Sequence, residues 1–174
     1  MNGKKNIKIL EYIEREEFVM FRKMKRISGL TTEEEAINVL ETGLSGTLAV
    51  VGDDGYPYAI PLNYVYSDGK IYFHSARKGH KIDAITKNDK VCFSVVTKED
   101  IMPSEFDTDF ISAIAFGKAR VLDEKNAVVS AMVKIGKKYS KGFEKEAVAY
   151  IEASWGEFIV VEITIEHVSG KKRS

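Results

Sequence analysis

Cysteine is almost missing: Cys92 is the only one in 174 residues. No internal disulfide is open to the chain, and the composition suits a reducing compartment, so a cytoplasmic protein is expected. Cys92 sits in the apolar run VCFSVV (91–96), where a buried, inert thiol is expected rather than a nucleophile. An excess of one charge is missing as well. Lysine and arginine together number 26, and so do aspartate and glutamate, so no net field favours DNA, RNA or an acidic membrane surface. The longest apolar runs are far too short to cross a bilayer. No charged start, apolar centre and small cleavage residues mark a signal peptide. Neither a nucleic-acid nor a membrane partner is expected.

The signatures of several enzyme classes are absent too. No Gly-x-Gly-x-x-Gly follows a strand and there is no P-loop, which argues against a Rossmann dinucleotide site and an NTPase. No Cys/His cluster or His-Glu-x-x-His supports zinc. His74 and His80 could pair as ligands, but Arg77, Lys78 and Lys81 beside them would repel a cation, so no metal is expected. No nucleophile elbow anchors a Ser-His-Asp arrangement.

Proline is scarce, with three in the chain, yet two of them fall in one stretch around which the rest is organised. Thr47 to Lys81 reads as three strands joined by tight turns at Asp53-Asp54-Gly55 and Ser67-Asp68-Gly69. In the second strand Tyr58, Ile60, Leu62, Tyr64 and Tyr66 fall on one face, with Pro57, Ala59, Pro61, Asn63 and Val65 on the other. Each proline removes a ladder donor, so this strand belongs at an edge, at a bulge or beside a ligand. The third strand ends in a cationic knot: His74, Ser75, Arg77, Lys78, His80 and Lys81 are donors just before the helical spacing of Ile82 and Ile85. A strand running into a helix start presents free N–H groups and the positive end of the helix dipole, which suits a phosphate. A solvated basic turn is the plain alternative. A proline-interrupted aromatic strand beside an anion site suits a flavin mononucleotide.

PYAIPLNY, DGKIYFHSARKGHKIDAI, SAIAFGKARVL and IEHVSGK, in that order and spacing, resemble the nitroimidazole-resistance (Nim-type) branch of the pyridoxamine 5′-phosphate oxidase-like FMN-binding split barrels, over roughly Met20 to Lys171. The resemblance implies an α+β fold, a six-stranded antiparallel split β-barrel with flanking helices. It also implies FMN as cofactor and a homodimer with two sites at the subunit interface. Carried over residue by residue, Pro61, Leu62 and Asn63 would line the flavin ring. His74 and Ser75 would lead toward the phosphate, and Lys78 and Lys81 would be its main cations, with Arg77 assisting or facing solvent. His167 and Lys171 match the Nim-type ending. The arginine- and histidine-bearing C-terminal segment of pyridoxamine-phosphate oxidases proper is lacking, which puts the vitamin substrate in doubt. The His74 position is linked to the flavin-side pocket in this branch, so His74 is the candidate catalytic residue; a strand-end histidine with a structural hydrogen bond is the alternative.

Around this centre, residues 1–19 read as an N-terminal extension, either a docked short helix or a stretch ahead of a true start at Met20. Residues 20–174 read as the FMN-binding domain. The basic patch Arg22, Lys23, Lys25 and Arg26 is either solvated or sends one side chain to the flavin phosphate. A capping box, Thr31 with Glu34 or Thr32 with Glu35, opens a helix over about Thr32 to Glu41 that Gly43 stops, with Ala36, Ile37, Leu40 and Leu44 on one face. A short helix over about Gly79–Thr86 leads to a strand, Val91–Thr97. Lys98–Asp109 has no period and contains Pro103, so a loop is expected there, with a lid as one family role. Phe110–Leu122 reads as a long strand with a bulge at Gly117. Asp123 caps an amphipathic helix over Ala127 to Ile135, and a second helix packs Phe143, Ala147, Val148, Ile151 and Trp155 into the core; the alternative places Trp155 near the ring. Phe158–His167 is the last strand.

Two functions of different class follow. One is a flavin-dependent reductase of small electrophiles such as nitroaromatics; the other is a non-catalytic flavin- or haem-binding module on the same barrel. An absorption spectrum of the purified protein separates them.

Overall fold

The computed structural model describes Phe21, Arg22, Met24, Lys25 and residues 27–173. The extension over residues 1–19 and the cations Lys23 and Arg26 lie outside the described residues. Thr32 caps the first helix, α1 (Glu33–Thr42). Its Oγ1 accepts from the Glu35 N–H at 3.2 Å while Glu35 Oε2 accepts from the Thr32 N–H at 2.9 Å, so the second of the two capping boxes is the one formed. The helix buries Ala36, Val39 and Leu40. Leu44, expected on the same face, lies beyond the helix end and is exposed.

Seven strands follow: β1 (Gly46–Val51), β2 (Pro57–Leu62), β3 (Val65–Ser67), β4 (Lys70–Ala76), β5 (Lys90–Met102), β6 (Asp107–Val121) and β7 (Phe158–Arg173). They form one antiparallel sheet in the order β2-β1-β5-β6-β7-β4-β3. The strand expected to run unbroken from Pro57 to Tyr66 is therefore two strands at opposite edges. β2 pairs with β1, Gly46 opposite Leu62, and β3 pairs with β4, Val65 opposite Tyr72. Only Asn63 and Tyr64 separate them, and three Cα steps reach no further than about 11 Å. The two edges must meet, which curls the sheet into a barrel that stays split at this joint. Counted as one bent strand, β2 and β3 restore the six expected. As an edge strand, β2 tolerates both prolines.

The segment expected as a loop, Lys98–Asp109, is instead a hairpin arm. β5 and β6 stay paired out to Met102 opposite Asp107, joined by a 3-10 turn at Pro103–Glu105 with Phe106 in the left-handed region at φ 53°. Neither face of the arm is buried (Ile101 and Phe106 are exposed), so no apolar period marked it; backbone pairing alone extends the strands. The bulge does fall at Phe116/Gly117, and a Cβ at Gly117 would collide with the Thr164 carbonyl.

Three further helices are α2 (His80–Lys87), α3 (Lys125–Tyr139) and α4 (Glu144–Ala153). The N-cap position of α3 is Glu124, without a side-chain bond, so Asp123 is not the cap. The barrel interior packs Leu48, Ile71, Phe73, Phe93 and Val161 against α1 and α2. A second cluster on the other face of β4 and β7 holds Tyr72, Val160 and Leu122 under Ala131, Met132 and Ile135 of α3. Of α4, only Ile151 is buried. Phe143, Val148 and Trp155, expected in the core, are exposed because α4 buries only one narrow face, at Ile151, in that second cluster. Among the described residues no helix is long and apolar enough to cross a membrane.

Candidate functional site

The joint between β2 and β3 is the natural centre of the site. Along β2, Tyr58, Ile60 and Leu62 turn into the barrel, while Pro57, Ala59, Pro61 and Asn63 are exposed outside it. Tyr64 is fully buried; its hydroxyl donates to Leu40 O at 2.7 Å and its ring meets Phe93 edge-on. From the end of α3, the Tyr139 hydroxyl accepts from the Tyr64 N–H at 2.9 Å and stands 2.7 Å from both the Tyr64 and Leu44 carbonyls. Lys138 reaches the Gly43 carbonyl at 2.6 Å and lies over the Tyr64 ring at 4.2 Å. Burial holds that ammonium below the ordinary lysine range. These two residues clasp the point where the strand breaks, satisfying backbone groups that no ladder pairs. Sequence reasoning passed over both, since a helix-end tyrosine carries no mark of a partner 75 residues away.

The cationic knot divides on inspection. Along β4, Phe73 belongs to the barrel interior and Tyr72 to the α3 side, so alternation puts Ser75 with Phe73 and His74 with Tyr72. Lys81 holds its Nζ 5.7 Å over the Phe73 ring, with burial lowering its pKa. Two of the six donors are already engaged. Arg77 donates to the Gly156 carbonyl at 3.1 Å. His80 stacks on Tyr58 at 4.3 Å and accepts from the Asp53 N–H at 3.3 Å, while Lys87 pairs with the same aspartate at 3.0 Å. Those contacts tie α2 to the β1–β2 turn rather than to an anion. Of the other donors, Ser75 is near the end of β4, Lys78 lies between β4 and α2, and Lys81 is in the first turn of α2. There the first intrahelical bonds come from the Ile82 and Asp83 N–H groups to Gly79 O, at 2.8 and 3.1 Å, leaving the His80 and Lys81 amides without a helical acceptor. Gly79 has φ 135°, and a Cβ there would meet nothing within 4 Å, so the approach to this helix start is open.

His74 and Asn63 come together elsewhere, both lining a cleft of about 480 Å³ between the joint, β4, α3 and α4. Met132, Ile135, Phe143, Ala147 and Tyr150 supply most of its walls. Burial first, and the Lys81 charge second, push the His74 pKa below the usual imidazole value. Leu62 and Pro61 flank the same joint on opposite faces. Trp155 lies away from this cleft, with Lys125 Nζ 5.5 Å over its ring. On the distal half of β7, His167 stacks on Phe21 at 4.8 Å and Lys171 lies over Phe110 at 5.8 Å; neither lines the cleft.

This architecture has known counterparts. A candidate 5-nitroimidazole antibiotic resistance protein of Bacteroides thetaiotaomicron superposes with a TM-score of 0.67 at 19% identity, covering 82% of this chain and 85% of that one. A conserved hypothetical protein of Mycobacterium tuberculosis gives 0.73 at 19% identity, covering 86% and 90%. An FAD-binding protein of Mesorhizobium loti gives 0.58 at 25% identity, covering 83% and 97%. No curated protein matches in sequence. The profile described as pyridoxamine 5′-phosphate oxidase matches residues 32–172, and with most of its length so matched the chain belongs to that family of split barrels.

Proposed function

We propose that this chain is an FMN-binding flavoprotein that acts as a homodimer and reduces small electrophiles such as nitroaromatics. The observation that carries the reading is the start of α2, where the His80 and Lys81 amides have no helical acceptor, Gly79 leaves the approach open, and Ser75, Lys78 and Lys81 lie close by in sequence. That donor set fits a phosphate dianion, with charge-assisted bonds from lysine and the helix dipole acting in the same direction. Membership of the family and the FAD bound by the Mesorhizobium loti relative support a flavin as the owner of that phosphate. When bound, the flavin supplies two-electron redox chemistry, taking electrons from a reduced nicotinamide or a protein donor and passing them to the electrophile.

The chain's own residues bind and orient. Lys81 and Lys78 neutralise the phosphate, Ser75 donates to it, and Pro61, Leu62 and Asn63 present the joint to the ring. Reduction of a nitro group to nitroso takes two electrons and two protons and releases water. His74, which lines the cleft, would donate a hydrogen bond to a nitro oxygen. With its pKa lowered it is neutral at pH 7, so it passes a proton of its own only as the pH falls.

The dimer rests on a second observation. The outward positions Thr47, Ala49 and Val51 of β1, Pro57, Ala59 and Pro61 of β2, and Cys92, Ser94 and Val96 of β5 lie side by side, and Ile114 and Phe116 continue the face on β6. Among the described residues no charge falls between these positions, Lys90 and Lys118 bound the face, and a two-fold axis would cover it with its own copy and close the joint against water. The purified protein should be yellow, release FMN on denaturation and sediment as a dimer. In anaerobic stopped-flow, chemically reduced protein should be reoxidised by a nitroimidazole faster than free reduced FMN. Equal rates would remove the reductase reading, and a Soret band in place of flavin absorption would remove the flavin.

A further inference from the structure

We propose that the cleft between α3 and α4 is the acceptor pocket of this protein, and that it selects flat aromatic compounds that are neutral or carry an ammonium group while rejecting carboxylates and phosphates. The inference rests on the reductase reading and adds to it where the acceptor enters and which charge it bears.

Helix α4 supplies the first argument. Ile151 is its one buried residue, yet Phe143 and Tyr150 stand 65% and 70% exposed on the cleft side rather than being turned into either core. Packing does not account for two aromatic side chains left in this position; a flat ligand between them does, since an aromatic face offers large contact area at little entropic cost. Met132 and Ile135 of α3 continue the apolar wall. The volume of about 480 Å³ falls within the range of small-molecule sites.

The second argument is charge. Among the described residues Glu146 is the one carboxylate lining the cleft, and no lysine or arginine lines it. Nearby cations have other contacts: Arg77 of the knot bonds Gly156, and Lys138 of α3 bonds Gly43, while Lys81 lies over Phe73 and its charge is felt at His74 without its side chain lining the cleft. Glu146 is exposed at the mouth of the cleft, and a carboxylate there with no cation beside it on the lining attracts a cation and repels an anion. On the lining, Asn63 and His74 offer hydrogen bonds to an uncharged polar group such as nitro. The two halves of the site thus have opposite preferences, an anion cradle at α2 and an anion-excluding cleft under α4, so a phosphorylated substrate would find no clamp in the cleft.

The test uses the flavin-loaded protein and three probes, 4-nitrobenzylamine, nitrobenzene and 4-nitrobenzoate. Binding is followed by methyl NMR shifts of Met132 and Ile135, and turnover by kcat/KM. The ammonium probe should bind at least as well as the neutral one, and the carboxylate about two- to fivefold more weakly. Glu146→Lys should reverse the order of the charged pair, and Tyr150→Ala should weaken all three with flavin content unchanged. Probe affinities independent of charge, or an order that Glu146→Lys leaves intact, would overturn the proposal. So would loss of flavin from Tyr150→Ala, because the cleft would then belong to the flavin itself. If the protein turns over no nitro compound, the reductase reading fails, but the methyl shifts still decide the cleft by the same criteria.

Discussion

Replacing Tyr139 by phenylalanine deletes one oxygen at the joint on which the barrel closes. That oxygen accepts from the N–H of the buried Tyr64 at 2.9 Å and donates to one of two carbonyls, each 2.7 Å away. In the variant the Tyr64 N–H loses its partner where neighbouring side chains restrict water, and an unsatisfied buried donor costs about 1–3 kcal/mol. The ring itself stays, so no cavity adds to this. For a chain of this length each kcal/mol corresponds to a fall in Tm of about 2–4 °C. Urea unfolding followed by circular dichroism should therefore show a lower midpoint with an unchanged slope. Asn63 is the next residue along the chain, so a looser joint should also weaken FMN several-fold without changing the phosphate contacts at α2. An unfolding midpoint within error of the parent would refute the clasp, and with it the idea that the end of α3 holds the site in shape.

Lys81→Ala should weaken FMN binding more than Arg77→Ala, by about 1.5–3 kcal/mol against under about 1 kcal/mol, because Arg77 is already bonded to Gly156; riboflavin, which has no phosphate, should show little difference between the two. Glu162 is 4% exposed, and although burial would raise its pKa, the bonds from Lys70 at 3.0 Å and Arg120 at 2.9 Å hold it below the ordinary value. A depressed carboxylate contributes stability that is present above its unfolded pKa and is lost as the pH falls through the folded one. Glu162→Gln should thus cost about 1–3 kcal/mol at pH 7 and progressively less below about pH 4.5, and equal losses at pH 7 and pH 3 would contradict the ion-pair account. The His74 pKa is lowered, so nitro reduction should rise as the pH drops below the ordinary histidine range, and His74→Gln should flatten that rise while keeping its flavin; a pH profile shared by both proteins would dismiss His74 as a proton source.

Much of this molecule was readable from local chemistry. The capping box at Thr32, the turn glycines, the Gly117 bulge and the alternation along Pro57–Leu62 each depend on a few adjacent residues, and each lies where local rules put it. The prolines announced an edge strand for the same reason, since a missing donor is a property of one residue. The break after Leu62 was not readable, because Val65 and Tyr66 continue the apolar alternation while their ladder partner lies on the opposite edge of the sheet. Periodicity reports which side of a strand is buried, and it carries no information about which neighbour the strand pairs with. The cationic knot shows the same limit: six donors in eight positions look equivalent in sequence, and only the folded chain assigned Arg77 to Gly156 and His80 to Asp53. The hairpin arm at Lys98–Asp109 left no trace because it buries nothing, and α4 read as a core helix because its apolar residues do not reveal that a cleft, rather than the core, faces them. Local composition determines where an element begins, turns and caps, since those energies are paid within a few residues. The pairing of edges, the clasp of Tyr139 on Tyr64 and the meeting of Asn63 with His74 depend on contacts distant in sequence, whose energy exists only once the barrel has closed.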